Sequence, residues 1–240
     1  MKKFALITGA SGGIGAATAK TLAKEGWNLY LHYHSNEQRI VELLTELENY
    51  PIEIIPIKAD LSVDNGCKQI VENIFQLDAI VYSSGNAPFG LFCDLDDDTT
   101  ESALQLHVKS PIKLIRNLLS KLMRNSVSQI VIISSMWGQT GAACEVIYST
   151  VKGAQISFAK ALSKEIASSG VRVNCVAPGA VNTGMLHRFS REELENLEED
   201  IPLRRLAEPG EIADTVSFLL SEKASYITGQ VLAVNGGWYT

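Results

Sequence analysis

The sequence predicts a single-domain α/β fold: a doubly wound parallel sheet of about seven strands with helices on both faces. Two observations carry this. Short apolar runs alternate with longer helical patterns along the 240 residues, and the first apolar run opens into a glycine-rich turn followed by a helix. Strand-helix alternation implies right-handed crossovers and a parallel sheet.

Taken in order, Phe4-Ala-Leu-Ile7 reads as a short buried strand running into Thr8-Gly9-Ala-Ser11-Gly12-Gly13-Ile14-Gly15, with a helical stretch from Ala16 to Glu25 behind it. Strands are expected near 4–8, 28–33, 52–58, 78–82, 128–133, 171–177 and 231–234, and helices near 13–25, 36–49, 63–75, 100–124, 148–168 and 209–221. No Pro/Gly/Ser-rich linker divides the chain, so a first half (about 1–130) and a second half (about 131–240) are expected to share one sheet. Doubly wound sheets bind ligands beyond the carboxyl ends of their strands. The unusual residues fall there: Gly9 to Gly15, His34-Ser35-Asn36, Asp60-Leu61, Ser83-Ser84-Gly85-Asn86, Ser135 and Pro178-Gly179 follow six successive strands.

Strand, glycine-rich turn, helix is the setting in which such a motif binds a dinucleotide. Glycines let the backbone approach the pyrophosphate, and a helix N-terminus presents unpaired N–H groups to it. The second constellation is Ser135, thirteen residues before Tyr148, with Lys152 four residues further on. A tyrosine and a lysine four apart share one helix face. The ammonium is expected to lower the phenol's pKa, making a general acid or base for a carbonyl, with Ser135 donating to the substrate oxygen.

Composition sets bounds. A 46% hydrophobic chain can bury a sizeable core, and a net charge of −6 argues against a nucleic-acid surface. No stretch approaches the roughly 18 apolar residues of a membrane span. Met1-Lys-Lys3 is basic, but the apolar run after it meets glycines too soon for a signal peptide. Cys67, Cys93, Cys144 and Cys175 are scattered, which reads as free thiols in a reducing cytoplasm. His32 and His34 alternate on one strand face, but two ligands without a third do not make a metal site.

T-G-x-x-x-G-x-G from Thr8, Ser135, Y-x-x-x-K from Tyr148 and Pro178-Gly179, in that order, resemble the short-chain dehydrogenase/reductase family with its Rossmann-type sheet. The resemblance covers residues 4 to 238 and is closest to the 3-oxoacyl-(acyl carrier protein) reductases. It implies that Tyr148 protonates a carbonyl oxygen as hydride arrives from a nicotinamide, that Lys152 also holds the nicotinamide ribose, and that Ser135 orients the carbonyl. It assigns Gly9, Ser11, Gly12, Gly13, Ile14, Gly15, Asp60, Leu61, Ser84, Gly85, Pro178, Gly179, Val181 and Thr183 to the cofactor, Asp60 at the adenine and Thr183 at the carboxamide or pyrophosphate. The chain departs from the family at Tyr82-Ser-Ser-Gly85, where relatives have Asn-Asn-Ala-Gly. It departs again at His107, where relatives carry an asparagine that completes a catalytic tetrad. Pro111 has no N–H to bond the carbonyl of His107, so that carbonyl is expected to hold a relay water, while the imidazole has a partner of its own.

The second strand ends without a carboxylate before Glu37, so NADP(H) is expected over NAD(H), with His34, Ser35 and Asn36 at the 2′-phosphate. Gly12 stands where many NADP-linked relatives carry a basic residue. Trp137 and Met136 follow the serine and either line the pocket or fill the core. Residues 186–202, rich in glutamate, read as a polar lid. Ala154, Ser157 and Ala161 form a small-residue stripe of the kind that relatives use to pair as homodimers or homotetramers. Three functional readings stay open: reduction of a 3-oxoacyl group on acyl carrier protein; reduction of a 5-aminopentanone group on elongation factor P, after a bacterial subgroup that Leu106–Pro111 and Ser134–Tyr148 resemble; and a non-catalytic, cofactor-sensing regulator.

Overall fold

The computed structural model describes residues 3–240; Met1 and Lys2, the start of the basic segment, lie outside the described residues. Seven parallel strands form one sheet: β1 (Phe4–Thr8), β2 (Asn28–Tyr33), β3 (Ile54–Lys58), β4 (Ala79–Tyr82), β5 (Ser128–Ile133), β6 (Val171–Pro178) and β7 (Val231–Val234), in the order β3-β2-β1-β4-β5-β6-β7. The four central strands β1, β2, β4 and β5 are buried almost throughout. This is why they read as unbroken apolar runs rather than as alternating ones.

The helices are α1 (Gly13–Lys24), α2 (Glu37–Leu47), α3 (Gly66–Glu72), α4 (Asp97–Leu104), α5 (Ser110–Leu122), α6 (Trp137–Thr140), α7 (Val146–Ile166), α8 (Arg191–Asp200) and α9 (Pro209–Leu220). One core gathers residues of α1, α2 and α9 on one sheet face, through Leu22, Leu43 and Leu219; the other gathers α3, α5 and α7, through Ile70, Leu118 and Ala159. Strand order reverses at β1–β4, and there a crevice opens beyond the carboxyl ends.

Two expectations gain detail. The helical stretch near 100–124 runs without a break but carries a π turn: α4 ends at Leu104, the π turn covers Gln105–Lys109, and α5 starts at Ser110. Pro111 follows the π turn and its cap Ser110, so its missing N–H leaves a carbonyl of that turn without a backbone donor. The polar lid contains a helix, α8, started by a capping box between Ser190 and Glu193.

At the switch point one hydroxyl fixes the loop after β4. Thr8 is fully buried, and its Oγ1 accepts from the backbone N–H groups of Ser83 at 3.1 Å and Ser84 at 3.2 Å. Thr8→Val keeps the shape but strands both donors. It should lower the unfolding free energy by about 1–3 kcal/mol in urea titration; an unchanged midpoint would show that the loop finds other acceptors.

Candidate active site

The glycine turn is built for an anion. Gly9 has φ +68°, and a Cβ on Gly15 would lie 2.2 Å from the carbonyl oxygen of Gly9, so the turn folds back on itself without room for side chains. Gly12 caps α1 with no side-chain hydrogen bond, leaving the first-turn N–H groups for a ligand. Thr183 closes the opposite wall: a Cβ on Gly13 would lie 2.6 Å from its Cγ2. The arrangement fits a pyrophosphate. His32, which the sequence placed only as half of a metal pair, fastens this turn. Its Nδ1 accepts from Gly9 N at 3.2 Å and its Nε2 lies 3.1 Å from Ala59 O. Burial lowers its imidazole to about 4, so it is neutral, with Nε2–H the donor. The described residues contain no group of three metal-ligating side chains.

Further along the edge, the Asp60 carboxylate accepts from Ser62 N and Oγ at 2.8 and 2.6 Å, and its other oxygen lies 3.4 Å from Nε2 of exposed His34. Asn36 caps α2 by accepting from Arg39 N at 3.1 Å, which leaves its amide N–H groups and the Ser35 hydroxyl at the surface. The nearby cations are engaged: Arg39 pairs with Glu42 and Glu46, and Lys58 pairs with Glu37.

The proton-transfer residues lie together on α7 and at the end of β5. Tyr148 and Lys152 are buried, with Ser135 beside the phenol. The expected effect of the lysine on the phenol is not what this arrangement shows. Lys152 Nζ donates to Ile133 O at 2.8 Å and lies 5.5 Å from the centre of the Tyr148 ring. Burial pushes the phenol up to about 12, against the hydrogen bond with Ser135; Glu145 adds to the rise and Arg188 opposes it. Burial brings the lysine down to about 7. The phenol is therefore protonated at neutral pH, poised to donate to an oxygen that gains charge.

His107 is fully buried, its ring 6.0 Å from that of Tyr148 and edge-on at 88°. Burial first, and Lys152 second, hold its imidazole well below the usual range. Its Nε2 lies 3.0 Å from Asn86 O and 3.1 Å from Asn86 Oδ1, so the imidazole has the partner expected of it. Gly85 serves this ring: a Cβ there would lie 2.6 Å from His107 Cε1. The carbonyl of His107 accepts from Gln155 Nε2 at 2.9 Å, a protein donor that the sequence reading did not include.

These residues line a cavity of about 190 Å³. Its outer wall is apolar, formed by Met136, Trp137, Met185, Leu186, Phe189 and Trp238, with the two indoles packed edge-on at 5.3 Å. The glutamates of α8 are turned outward or half-exposed, so the acidity read for the lid does not reach the cavity. Its one lining carboxylate among the described residues is Glu145. Arg188 reaches Glu145 at 3.2 Å and Ala87 O at 3.0 Å, with Phe89 and Phe189 at 4.5 and 4.9 Å from its guanidinium. That clasp joins the lid, the loop after β4 and the N-terminus of α7; sequence spacing gave no sign of it, because its members are 43 and 101 residues apart.

The family described as enoyl-(acyl carrier protein) reductase matches residues 9–239. The chain is 53% identical over its whole length, and that of the relative, to the uncharacterized oxidoreductase YmfI of Bacillus subtilis. It is 35% identical to the 3-oxoacyl-[acyl-carrier-protein] reductase FabG of Rickettsia felis, over 98% of this chain and 96% of that one. Among solved structures, the angucycline C-6 ketoreductase LanV with bound NADP superposes at a TM-score of 0.93 with 29% identity, covering 98% of this chain and 95% of that one. A blue fluorescent protein from a metagenomic library, in complex with NADPH, superposes at 0.93 with 27% identity, covering 99% and 98%.

The buried lysine makes stability depend on pH. With a folded value near 7 against an ordinary 10.5, the unfolded chain binds the extra proton between these limits, so stability rises with pH across that window. Subtracting the Lys152→Met profile from wild type between pH 7 and 9 should leave a positive slope of up to about 1.4 kcal/mol per pH unit. A flat difference would mean that Lys152 keeps its charge in the fold.

Proposed function

The chain belongs to the short-chain dehydrogenase/reductase family, and we propose that it reduces a ketone to an alcohol with NADPH, taking a 3-oxoacyl thioester as its substrate class. The observation that carries this is the protonated Tyr148 phenol beside Ser135, facing an apolar cavity at the switch point. When bound, the cofactor supplies hydride to the carbonyl carbon. Ser135 holds the carbonyl oxygen, and Tyr148 gives it a proton as negative charge develops there. Lys152, near neutrality, can carry a proton back to the phenolate and hold the ribose hydroxyls. His107 positions the Gly85–Asn86 loop. The glycine turn and Thr183 would hold the pyrophosphate, with Ser11, Ile14, Leu61, Ser84, Pro178, Gly179 and Val181 around the dinucleotide and Asp60 at the adenine. The LanV structure holds NADP and the blue fluorescent protein NADPH, which supports the phosphorylated cofactor here. The small-residue stripe of α7 supports pairing with a second copy in a bacterial cytoplasm.

A second reading takes an amino-ketone borne on elongation factor P. The Glu145 carboxylate that lines the cavity favours it, because it suits a cationic substrate better than an anionic one. Wild type assayed in parallel on an acetoacetyl thioester and on amino-ketones separates the two by kcat/KM. Tyr148→Phe should lower kcat on the preferred substrate by about 10²–10⁴-fold, with NADPH affinity by fluorescence unchanged. Retention of more than about a tenth of the activity would remove Tyr148 as the acid.

NADPH should give the lower Michaelis constant of the two nicotinamides. The 2′-phosphate would meet Ser35, Asn36 and His34, with no carboxylate before Glu37, and Glu37 is held by Lys58. An equal or lower constant for NADH would mean that this end reads only the ribose.

A further inference from the structure

We infer that Gln155 and Tyr82 are positioning residues, which hold the His107 turn between the sheet and the catalytic helix in place of the backbone donor that Pro111 lacks. This deepens the reading of Tyr148 and Lys152 above and rests on it for the consequence on turnover, though not for the geometry.

The argument starts from hydrogen-bond accounting. Ser110 N bonds Gln105 O, the five-residue spacing of a π turn. The next residue is Pro111, which has no N–H to give. In π spacing that donor would have served Leu106 O, and in α spacing His107 O. Both carbonyls are instead taken by side chains from distant elements. Tyr82 Oη, from the end of β4, donates to Leu106 O at 2.6 Å, and Gln155 Nε2, from α7, donates to His107 O at 2.9 Å. Tyr82 and His107 are fully buried and Gln155 is 2% exposed, so water is no ready substitute. A buried carbonyl left unpaired costs about 1–3 kcal/mol.

The two donors reach the turn from different elements, β4 and α7. Gln155 lies seven residues after Tyr148 and three after Lys152, on the same buried face of α7. Its bond therefore sets where the His107 turn sits along the helix that carries the proton-transfer residues. His107 in turn meets Tyr148 edge-on and holds Asn86, which places the loop beneath the cavity. A slip of this turn moves the imidazole, the Asn86 loop and the wall behind Tyr148 together.

The test is a rescue cycle read two ways. Gln155→Met keeps the length and burial of the side chain but removes the donor. It should lower kcat about tenfold, leaving the KM for NADPH unchanged, as expected when only transition-state geometry is lost. Adding Pro111→Ala supplies a backbone N–H to the stranded turn and should restore most of that kcat. The imidazole NMR signals of His107, identified by their loss in His107→Asn, should shift in Gln155→Met and return in the double variant. A role in stability alone would lower the melting temperature without this coupled recovery. If Gln155→Met fails to fold, Tyr82→Phe removes a single hydroxyl from the other carbonyl and should show the same shift and the same rescue. Unchanged kcat and imidazole signals, or a loss that Pro111→Ala does not reverse, would overturn the inference. Should wild type reduce no ketone at all, the proposed activity fails, while the imidazole signals still decide the positioning role.

Discussion

One helix meets the carboxyl ends of the central strands through buried polar groups, and the geometry of the site follows from that seating. Ser134 Oγ donates to Lys152 O at 2.9 Å, Lys152 Nζ donates to Ile133 O at 2.8 Å, and Gln155 Nε2 donates to His107 O. All three link α7 to structure on other elements, and all three side chains are buried. An α-helix turned by one residue rotates about 100° and moves 1.5 Å. Such a slip would strand every one of these groups at once, each at a cost of about 1–3 kcal/mol. The position of Tyr148 is thus set by polar satisfaction as much as by apolar packing, which tolerates sliding more readily than hydrogen bonds do.

The same burial sets the charges. Tyr148 and Lys152 start from similar ordinary values near 10 and are driven apart, to about 12 and about 7, because removal from water favours the uncharged form of each. An oxygen acquiring negative charge beside them becomes a base for the phenol's proton and favours the ammonium form of the lysine. Separation of two titratable groups by one environment is the pattern expected of an acid paired with the group that resets it. The two charges that act on the phenol from the cavity rim, Glu145 and Arg188, are opposite in sign and bonded to one another. Their effects on Tyr148 largely oppose each other, and the clasp can tie the lid without committing the cavity to one charge.

The seven strands were legible because each is an apolar run bounded by glycine, proline or polar turns, and in β1, β2, β4 and β5 burial on both faces leaves no period to misread. The π turn at 105–109 was not, since Pro111 is compatible with a continuous pattern in every respect but one missing donor. α8 was read only as a polar cover: it buries little, and its helical sign is the Ser190–Glu193 cap, not a hydrophobic stripe. The motif residues were found because their chemistry depends on short spacing, four residues from Tyr148 to Lys152 or six from Gly9 to Gly15. Their partners escaped for the converse reason. Tyr82, His32, Glu145, Arg188 and Gln155 act on residues 23 to 101 positions away, and no local pattern records such a pairing.

Tyr82, Gly85, His107 and Pro111 make physical sense as a set rather than one at a time. The room for the Cε1 of the imidazole at position 107 is the absent side chain of Gly85, where a Cβ would stand only 2.6 Å away. The ring then bonds Asn86, the residue after that glycine. Tyr82 is long enough to cross from the end of β4 to the carbonyl of Leu106. That carbonyl needs a partner because the turn carrying His107 passes into Pro111. Changing any one member leaves either a clash or an unpaired buried group among the others. Such a constraint holds the four residues together even where none of them touches the atoms that react.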